Sequence, residues 1–353
     1  MILQGGDTVC DLATQVVRWQ ATHGRNDLPW QNTRDPFRVW LSEIMLQQTQ
    51  VVTVLDYFPR FLKRFPDVSS LASASLDEVL GLWSGLGYYS RARNLHQCAV
   101  QVVQVHKGIF PPSAEVLQTL PGIGRSTAAA IASLCHGERV AILDGNVKRV
   151  LTRFLGFGAD LARAANERQL WAAASRLLPE TDLQTAMPRY TQGMMDLGAT
   201  VCTTKKPRCE QCPLGATCVA RSQGQPEHYP VKTRKLKRSA QSVWLLWACT
   251  NAQAVWLSKR PTPGVWAGLY CLPLFEDRAS LEASLPAGLR LALVDEPSFK
   301  HVLTHKDLHL HPVRLQVPAG FAVISDEPGA WFAAGAWPAL GVPAPVRKLL
   351  QRA

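Results

Sequence analysis

Leu120-Pro121-Gly122-Ile123-Gly124-Arg125-Ser126-Thr127 closes one helical stretch and opens another. Its two glycines predict a tight hairpin immediately before an alanine-rich helix over residues 125–136. Glycine lets a backbone approach an anion closely, and the free N–H groups of a helix N-terminus favour phosphate. The same eight residues also read as a plain helix-to-helix turn.

Around the hairpin, residues 7–221 carry helical periodicity almost throughout. Asp35 and Pro36 predict an N-cap and first helical residue. After them Phe37, Trp40, Leu41, Ile44, Met45 and Gln48 recur on one stripe. Ser75 and Glu78 form a capping-box pattern. Further helices are predicted over residues 90–106, 146–155, 163–178 and 186–202, and no stretch before residue 222 reads as a strand. The text then changes. Residues 222–240 lose periodicity and hold Lys232, Arg234, Lys235, Lys237 and Arg238, a linker whose charges either touch an anion or are simply solvated. Runs at 243–248, 254–257 and 308–317 read as strands, with short helices at 278–284 and 345–351. The expectation is an all-α unit over residues 1–221, the basic linker, and an α+β domain over 241–353. A length of 353 residues agrees with two domains at about 150 residues each.

Lys and Arg number 38 against 27 Asp and Glu, a formal charge of +11 that favours a polyanionic partner. No run of 18 apolar residues and no basic-then-apolar leader occurs, so no membrane association and a cytoplasmic location are expected. Of nine cysteines, Cys10, Cys98, Cys135, Cys249 and Cys271 lie in apolar surroundings and read as small core residues. Cys202, Cys209, Cys212 and Cys218 are different. Their spacing, C-x6-C-x2-C-x5-C, can surround one centre, either tetrahedral zinc or a [4Fe-4S] cube.

Two carboxylates stand out. Glu43 lies at the edge of the apolar stripe, in line with Trp40 and Gln47. A carboxyl walled by apolar and amide groups resists ionising, as a general acid requires; the plainer alternative is an exposed helix-face glutamate. Asp144, between Val140-Ala141-Ile142-Leu143 and Gly145-Asn146-Val147-Lys148, reads as a helix N-cap, where backbone donors favour the carboxylate. One protonated and one ionised carboxyl is the division of labour for breaking a glycosidic bond. Tyr88-Tyr89 with Arg91 and Arg93 offers rings beside cations, suited to stacking on bases or to ordinary packing.

Together these residues resemble the helix-hairpin-helix DNA glycosylases of the endonuclease III superfamily, and among them the MutY-type adenine DNA glycosylases. The resemblance rests on Ser42-Glu43-Ile44-Met45-Leu46-Gln47-Gln48-Thr49, Gly85-Leu86-Gly87-Tyr88-Tyr89 with Arg91-Ala92-Arg93-Asn94, the 120–127 hairpin, Leu143-Asp144-Gly145-Asn146-Val147 and the four-cysteine loop 202–218. It covers essentially the whole chain. It implies that Glu43 protonates N7 of an adenine extruded from the duplex, while Asp144, supported by Asn146, stabilises or briefly bonds to the sugar cation. Gln48 and Tyr88 would wedge into the duplex, and Thr49 and Leu86 would lie near the base opposite adenine. Gln47, Gly122, Gly124 and Ser126 would add DNA contacts, and the cysteine loop would carry a structural [4Fe-4S] cluster. The implied partner is double-stranded DNA holding an A:8-oxoguanine or A:G mismatch, bound by a monomer, nucleoid-associated in a bacterium.

Bifunctional relatives carry Lys where this chain has Ser126, and a hydroxyl cannot form the imine through which they cut the strand. A monofunctional hydrolase is therefore expected, although Lys148 lies near Asp144 in sequence. The C-terminal residues 257–261 and 264–270 resemble the Nudix-like domain of the same family. The glutamate-rich helix of a working Nudix hydrolase is reduced to Glu282, so recognition rather than hydrolysis is expected. His301-Val302-Leu303-Thr304-His305 matches the family's 8-oxoguanine-reading loop, usually Phe-Ser-His; Leu303 and Thr304 replace the aromatic and the serine. Two alternatives remain at this level: a bifunctional pyrimidine-lesion glycosylase and lyase, and a non-catalytic iron-sulfur DNA-binding regulator.

Overall fold

The computed structural model describes residues 6–233, 237–318, 321 and 328–352, with side chains from residue 12 onward. Arg234, Lys235 and the side chain of Cys10 lie outside the described residues. Contacts divide the chain into two compact units, residues 1–72 with 97–235 and residues 73–96 with 236–353.

The helices are α1 (Gly6–His23), α2 (Pro36–Leu46), α3 (Val51–Arg64), α4 (Val68–Ser73), α5 (Leu76–Trp83), α6 (Ser90–His106), α7 (Ala114–Leu117), α8 (Arg125–His136), α9 (Gly145–Leu155), α10 (Ala164–Arg176), α11 (Leu183–Thr200) and α12 (Val219–Ser222). Local chemistry sets most of their ends. Asp35 caps α2 by accepting from the Phe37 N–H, and Asp144 caps α9 by accepting from Val147. Gly137 and Gly156 stop α8 and α9 in the left-handed conformation that favours glycine.

In the first unit α11 packs against α1, α8 and α9. The core between them gathers Val16, Ala129, Leu143, Val147, Leu151, Met194 and Leu197. Alanines at 128, 129, 130 and 132 are all buried, giving α8 a narrow waist that admits its neighbours closely. Residues 231 and 233 are pinned here as well: Leu161 donates to the Val231 carbonyl at 3.0 Å, and the Thr233 hydroxyl binds Asp160.

The second unit is built on a mixed sheet. Its strands are β1 (Ser239–Cys249), β2 (Val255–Lys259), β3 (Tyr270–Cys271), β4 (Leu274–Phe275), β5 (Val294–Asp295), β6 (Phe299–Val302), β7 (Lys306–Gln316) and β8 (Gly329–Phe332), with helices α13 (Arg278–Ala283), α14 (Ala287–Arg290) and α15 (Ala344–Leu350). The spatial order is β3-β2-β1-β7-β5, with β4 on β1, β6 on β7 and β8 on β2. The central pair, β1 and β7, is parallel from Ser239↔Lys306 to Cys249↔Gln316. Leu246, Ala248, Val313 and Leu315 bury one face beneath Leu281 and Leu285.

Residues 73–96 pack into this unit because its surfaces approach to backbone distance. A Cβ on Gly81 would lie 2.2 Å from the Ala339 carbonyl, and one on Gly341 would lie 2.7 Å from Leu80. Lys259 pairs with Asp77 at 2.5 Å, and Ser84 donates to the Val342 carbonyl at 2.9 Å.

Candidate active site

Glu43, Gln47, Gln48, Thr49, Ser126, Asp144 and Asn146, singled out in three separate stretches of sequence, all line one cavity of about 800 Å3 in the first unit. Helix α2 supplies the first of them. Its apolar stripe buries Phe37, Trp40, Leu41, Ile44 and Met45 as the periodicity predicts, but Gln48 does not continue it. The helix ends at Leu46, and Gln48 stands exposed with φ +55°, while Thr49 donates back to the Leu46 carbonyl. Tyr88 has φ +48°. Both residues for which the resemblance implies a wedging role thus hold a backbone conformation that non-glycine residues adopt only at a cost of order 1–3 kcal/mol.

Burial, and secondarily the charge of Asp144, push the Glu43 carboxyl from its ordinary 4.5 up to about 7. Asp144 accepts from the Val147 N–H at 2.7 Å. The cap reading captured those donors; it missed that the cap itself is walled in. Burial raises Asp144 above its usual 3.8, outweighing the Val147 and Asn146 donors and the charges of Arg149 and Lys148, which act the other way. Two carboxyls with upward-shifted pKa values share one concave site, with the proton held more tightly at Glu43.

Ser126 accepts from the Leu143 N–H at 3.0 Å, so its hydroxyl fixes the residue preceding Asp144. Lys148 is committed as well, ion-paired to Glu167. In the hairpin Gly122 has φ +75°, and a Cβ on Gly124 would meet nothing. Gly124 caps α8 without a side-chain acceptor, leaving the first-turn N–H groups of α8 without a side-chain cap.

The lining also includes residues that sequence reading did not find. Arg25 lines the cavity with Gln192 and Met195. Its side chain meets the fully buried Asp196 at 2.7 Å, its own backbone N–H reaches the second carboxylate oxygen at 3.0 Å, and Gln192 donates to the first at 2.9 Å. Arg25 and Asp196 are 171 positions apart, and no local pattern links them.

Helix α9 runs from the cavity to the cysteine loop. Arg149 donates to the Asn146 side chain at 2.8 Å, to the Gly198 carbonyl at 2.6 Å and to the Cys202 carbonyl at 2.7 Å. One turn later the buried Arg153 donates to the Thr203 carbonyl at 2.7 Å, the Thr204 carbonyl at 3.0 Å and the Cys202 sulfur at 3.3 Å. Cys202, Cys209, Cys212 and Cys218 line one small cavity together with Arg153 and Arg221. A Cβ on Gly215 would fall 2.3 Å from the Arg221 guanidinium and 3.0 Å from the Cys209 carbonyl, so any larger residue there would displace the Arg221 side chain and crowd the loop backbone. Four sulfur donors facing one space, with cationic side chains beside them, fit an anionic thiolate-bound cluster. Among the described residues no three His, Cys, Asp or Glu side chains close tightly on a single point.

The remaining sequence candidates lie in the second unit. Leu86 is buried. Tyr88 is exposed, its ring under the Arg91 guanidinium at 5.4 Å and its hydroxyl 2.9 Å from that of Thr304. Leu303, Thr304 and His305 form the turn between β6 and β7, closed by the Leu303 N–H to the Lys306 carbonyl at 2.8 Å. Arg238 braces it through the Leu303 carbonyl at 2.9 Å and Asp307. Glu282 is engaged by Arg278 at 2.8 Å. Among the described residues no helix is long and apolar enough to cross a membrane.

Comparison with known proteins gives two domain matches: an HhH-GPD superfamily base excision DNA repair protein over residues 41–176 and a NUDIX domain over residues 243–352. The adenine DNA glycosylase of Buchnera aphidicola subsp. Acyrthosiphon pisum (strain APS) is 36% identical over 342 residues, 95% of both chains. The adenine DNA glycosylase of Homo sapiens is 45% identical over 213 residues, 58% of this chain and 38% of that one. Among solved structures, a thermostable thymine-DNA glycosylase superposes with TM-score 0.54 at 25% identity, over 62% of this chain and all of its own.

Proposed function

This chain belongs to the adenine DNA glycosylases of the HhH-GPD superfamily of base excision repair proteins, and from that premise we propose that Glu43 is its general acid and Asp144 its sugar-cation stabiliser. The chain removes adenine from DNA by breaking an N-glycosidic bond. One observation carries the assignment: the Glu43 carboxyl, raised to about 7, shares its cavity with Asp144. A group of that pKa is about half protonated at neutral pH and still acidic enough to give the proton up.

In this reading the Glu43 proton passes to N7 of an adenine swung out of the duplex, and the C1′–N9 bond breaks with its electron pair leaving on the base. The sugar becomes an oxocarbenium-like cation, whose charge the Asp144 carboxylate meets. Water bonds to C1′, and its proton restores Glu43. Neutral adenine and an abasic site are the products. Asn146 and Arg149 hold the α9 terminus that presents Asp144, and Arg25, fixed by Asp196, lines the same cavity. The reaction ends at hydrolysis, because Ser126 is a hydroxyl already accepting from Leu143 and Lys148 is paired to Glu167. The uncapped α8 N-terminus and the Gly122–Gly124 hairpin grip a backbone phosphate.

The Leu303-Thr304-His305 turn, with Tyr88, reads the base opposite adenine and prefers 8-oxoguanine over guanine. The four cysteines hold a [4Fe-4S] cluster, which supplies folding free energy to a loop of little apolar content and takes no part in the hydrolysis. The test is single-turnover adenine release from a duplex carrying A opposite 8-oxoguanine. Glu43→Gln and Asp144→Asn each abolish release while duplex affinity stays within about tenfold, because neither carboxylate attracts a phosphate chain. Wild-type rates in either variant would overturn the assignment.

A further inference from the structure

A further cavity, of about 200 Å3, opens in the C-terminal unit between β6 and α15. Its polar lining is entirely basic: Lys300 and His301 from β6, Lys348 from α15, and Arg352 just beyond it. Phe299 and Leu349 form part of its apolar wall, and no acidic residue lines it. Lys300 is already answered by Asp307 at 2.6 Å. Lys348 and Arg352 have no ion-pair partner among the described residues. His301 is half-buried beside the Trp266 ring, with centroids 6.1 Å apart; burial, and after it the Lys348 charge, hold its pKa below the ordinary 6.5, so the unanswered charges of the cleft are those of Lys348 and Arg352. Like charges gathered at a concave surface repel one another, and an anion seated between them removes that cost. The space is too small for a whole nucleotide but suits one phosphate group.

Position supplies the second argument. Strand β6 leads straight into the Leu303-Thr304-His305 turn, so His301 stands three residues from Thr304, at most about 10 Å along an extended chain. A DNA strand carries one phosphate per 3.4 Å of helix axis, which places the cavity within about three base steps of whatever Thr304 touches. We propose that the β6–α15 cleft is a phosphodiester-binding site, in which Lys348 and Arg352 hold the backbone of the DNA strand whose base the adjoining turn reads. This rests on the reading of that turn as a DNA-facing element. It adds a contact outside the recognition loop, on a part of the chain with no catalytic role.

Lys348→Met with Arg352→Gln removes both charges and keeps the aliphatic stems that cover the apolar wall. Affinity for a duplex carrying 8-oxoguanine opposite C is measured across a KCl series for wild type, this variant, and the charge-retaining Lys348→Arg with Arg352→Lys. The expected result is a slope of log K against log salt that falls in magnitude by about 2 in the neutral variant, with about tenfold weaker binding at low salt. The charge-retaining variant keeps the wild-type slope. Equal slopes in wild type and neutral variant overturn the proposal. Inorganic phosphate that raises the melting temperature of wild type but not of the neutral variant, with slopes equal, marks a free-phosphate site and also overturns it. Failure of the underlying glycosylase assignment is seen separately, as absence of adenine release by the wild-type protein.

Discussion

The Arg149 guanidinium binds the Asn146 side-chain carbonyl at 2.8 Å while also holding the Gly198 and Cys202 carbonyls. One cation therefore ties the end of α9 that presents Asp144 to the first residue of the cysteine loop. Lys has a single ammonium on a flexible stem and cannot meet three acceptors set at these angles. Arg149→Lys is expected to slow single-turnover adenine release about 10- to 100-fold, with duplex affinity changed less. Gly198→Ala should act on the same joint, since its Cβ would lie 2.6 Å from that of Asn146. Full activity in both variants would show that the α9 terminus needs neither restraint.

Release should also follow the protonation of Glu43. With its pKa near 7, the fraction able to donate falls about tenfold per pH unit above that point. An acid limb is expected where Asp144 takes up a proton, and burial sets that limb above its ordinary 3.8. The single-turnover rate plotted against pH is then a bell. A rate flat from pH 6 to 9 would remove Glu43 as the acid.

The same shift fixes a stability relation. The folded protein keeps its Glu43 proton up to about pH 7, whereas the unfolded chain releases it near 4.5. The native state thus binds more protons in that window, and wild-type stability declines as pH rises through it. Glu43→Gln lacks the titration. It should melt above wild type at pH 8, by an amount worth about 1–3 kcal/mol, and level with it at pH 4. Equal melting temperatures at pH 8 would mean that the carboxyl is not desolvated.

What the sequence revealed here was local chemistry. The Asp35 and Asp144 caps, the α2 stripe and the 120–127 hairpin each depend on residues within a turn or two, so the order of amino acids alone makes them legible. Periodicity carried the α2 stripe too far, to Gln48, because it cannot register that the backbone leaves the helix at Gln47 and turns left-handed at Gln48. The Arg25–Asp196 pair, the Gly198 and Cys202 acceptors of Arg149 and the Ser84–Val342 contact of residues 73–96 depend on chain closure across 49 to 258 positions. Only the fold brings those groups together.

The cysteine loop offers a direct observable. Purified protein should be yellow-brown with broad absorption near roughly 400 nm, as for a thiolate-bound cubane. Cys212→Ser removes a donor from the cavity that also holds Arg153. It should lower cluster occupancy and melting temperature, because metal-binding free energy is folding free energy for such a loop. Colourless wild-type protein with one zinc per chain and full activity would replace the cube with a single ion.

Opposite-base choice should rest on the contact between the Tyr88 and Thr304 hydroxyls, 2.9 Å apart. Tyr88 is held from behind by Arg91, which lies over its ring and donates to the Leu86 and Gly87 carbonyls at 3.3 and 3.2 Å. Thr304 is set by the closed β6–β7 turn. Two braced hydroxyls at one edge present a fixed donor and acceptor pair, and rigidity is what lets a polar contact discriminate between bases. Tyr88→Phe and Thr304→Ala should each reduce the ratio of release rates opposite 8-oxoguanine and guanine, by about 0.5–1.5 kcal/mol. If the hydroxyls act as one unit, the double variant loses little more than either single, giving a coupling of that same size in a double-mutant cycle. Additive losses would mean that each side chain touches DNA independently. An unchanged ratio in all three variants would leave the turn with general DNA affinity alone, seen as equal weakening on both duplexes. Leu303→Phe, which places a ring at the head of the turn, separates stacking from hydrogen bonding: a raised 8-oxoguanine preference in Leu303→Phe that persists in the Thr304→Ala background would assign part of the reading to the ring.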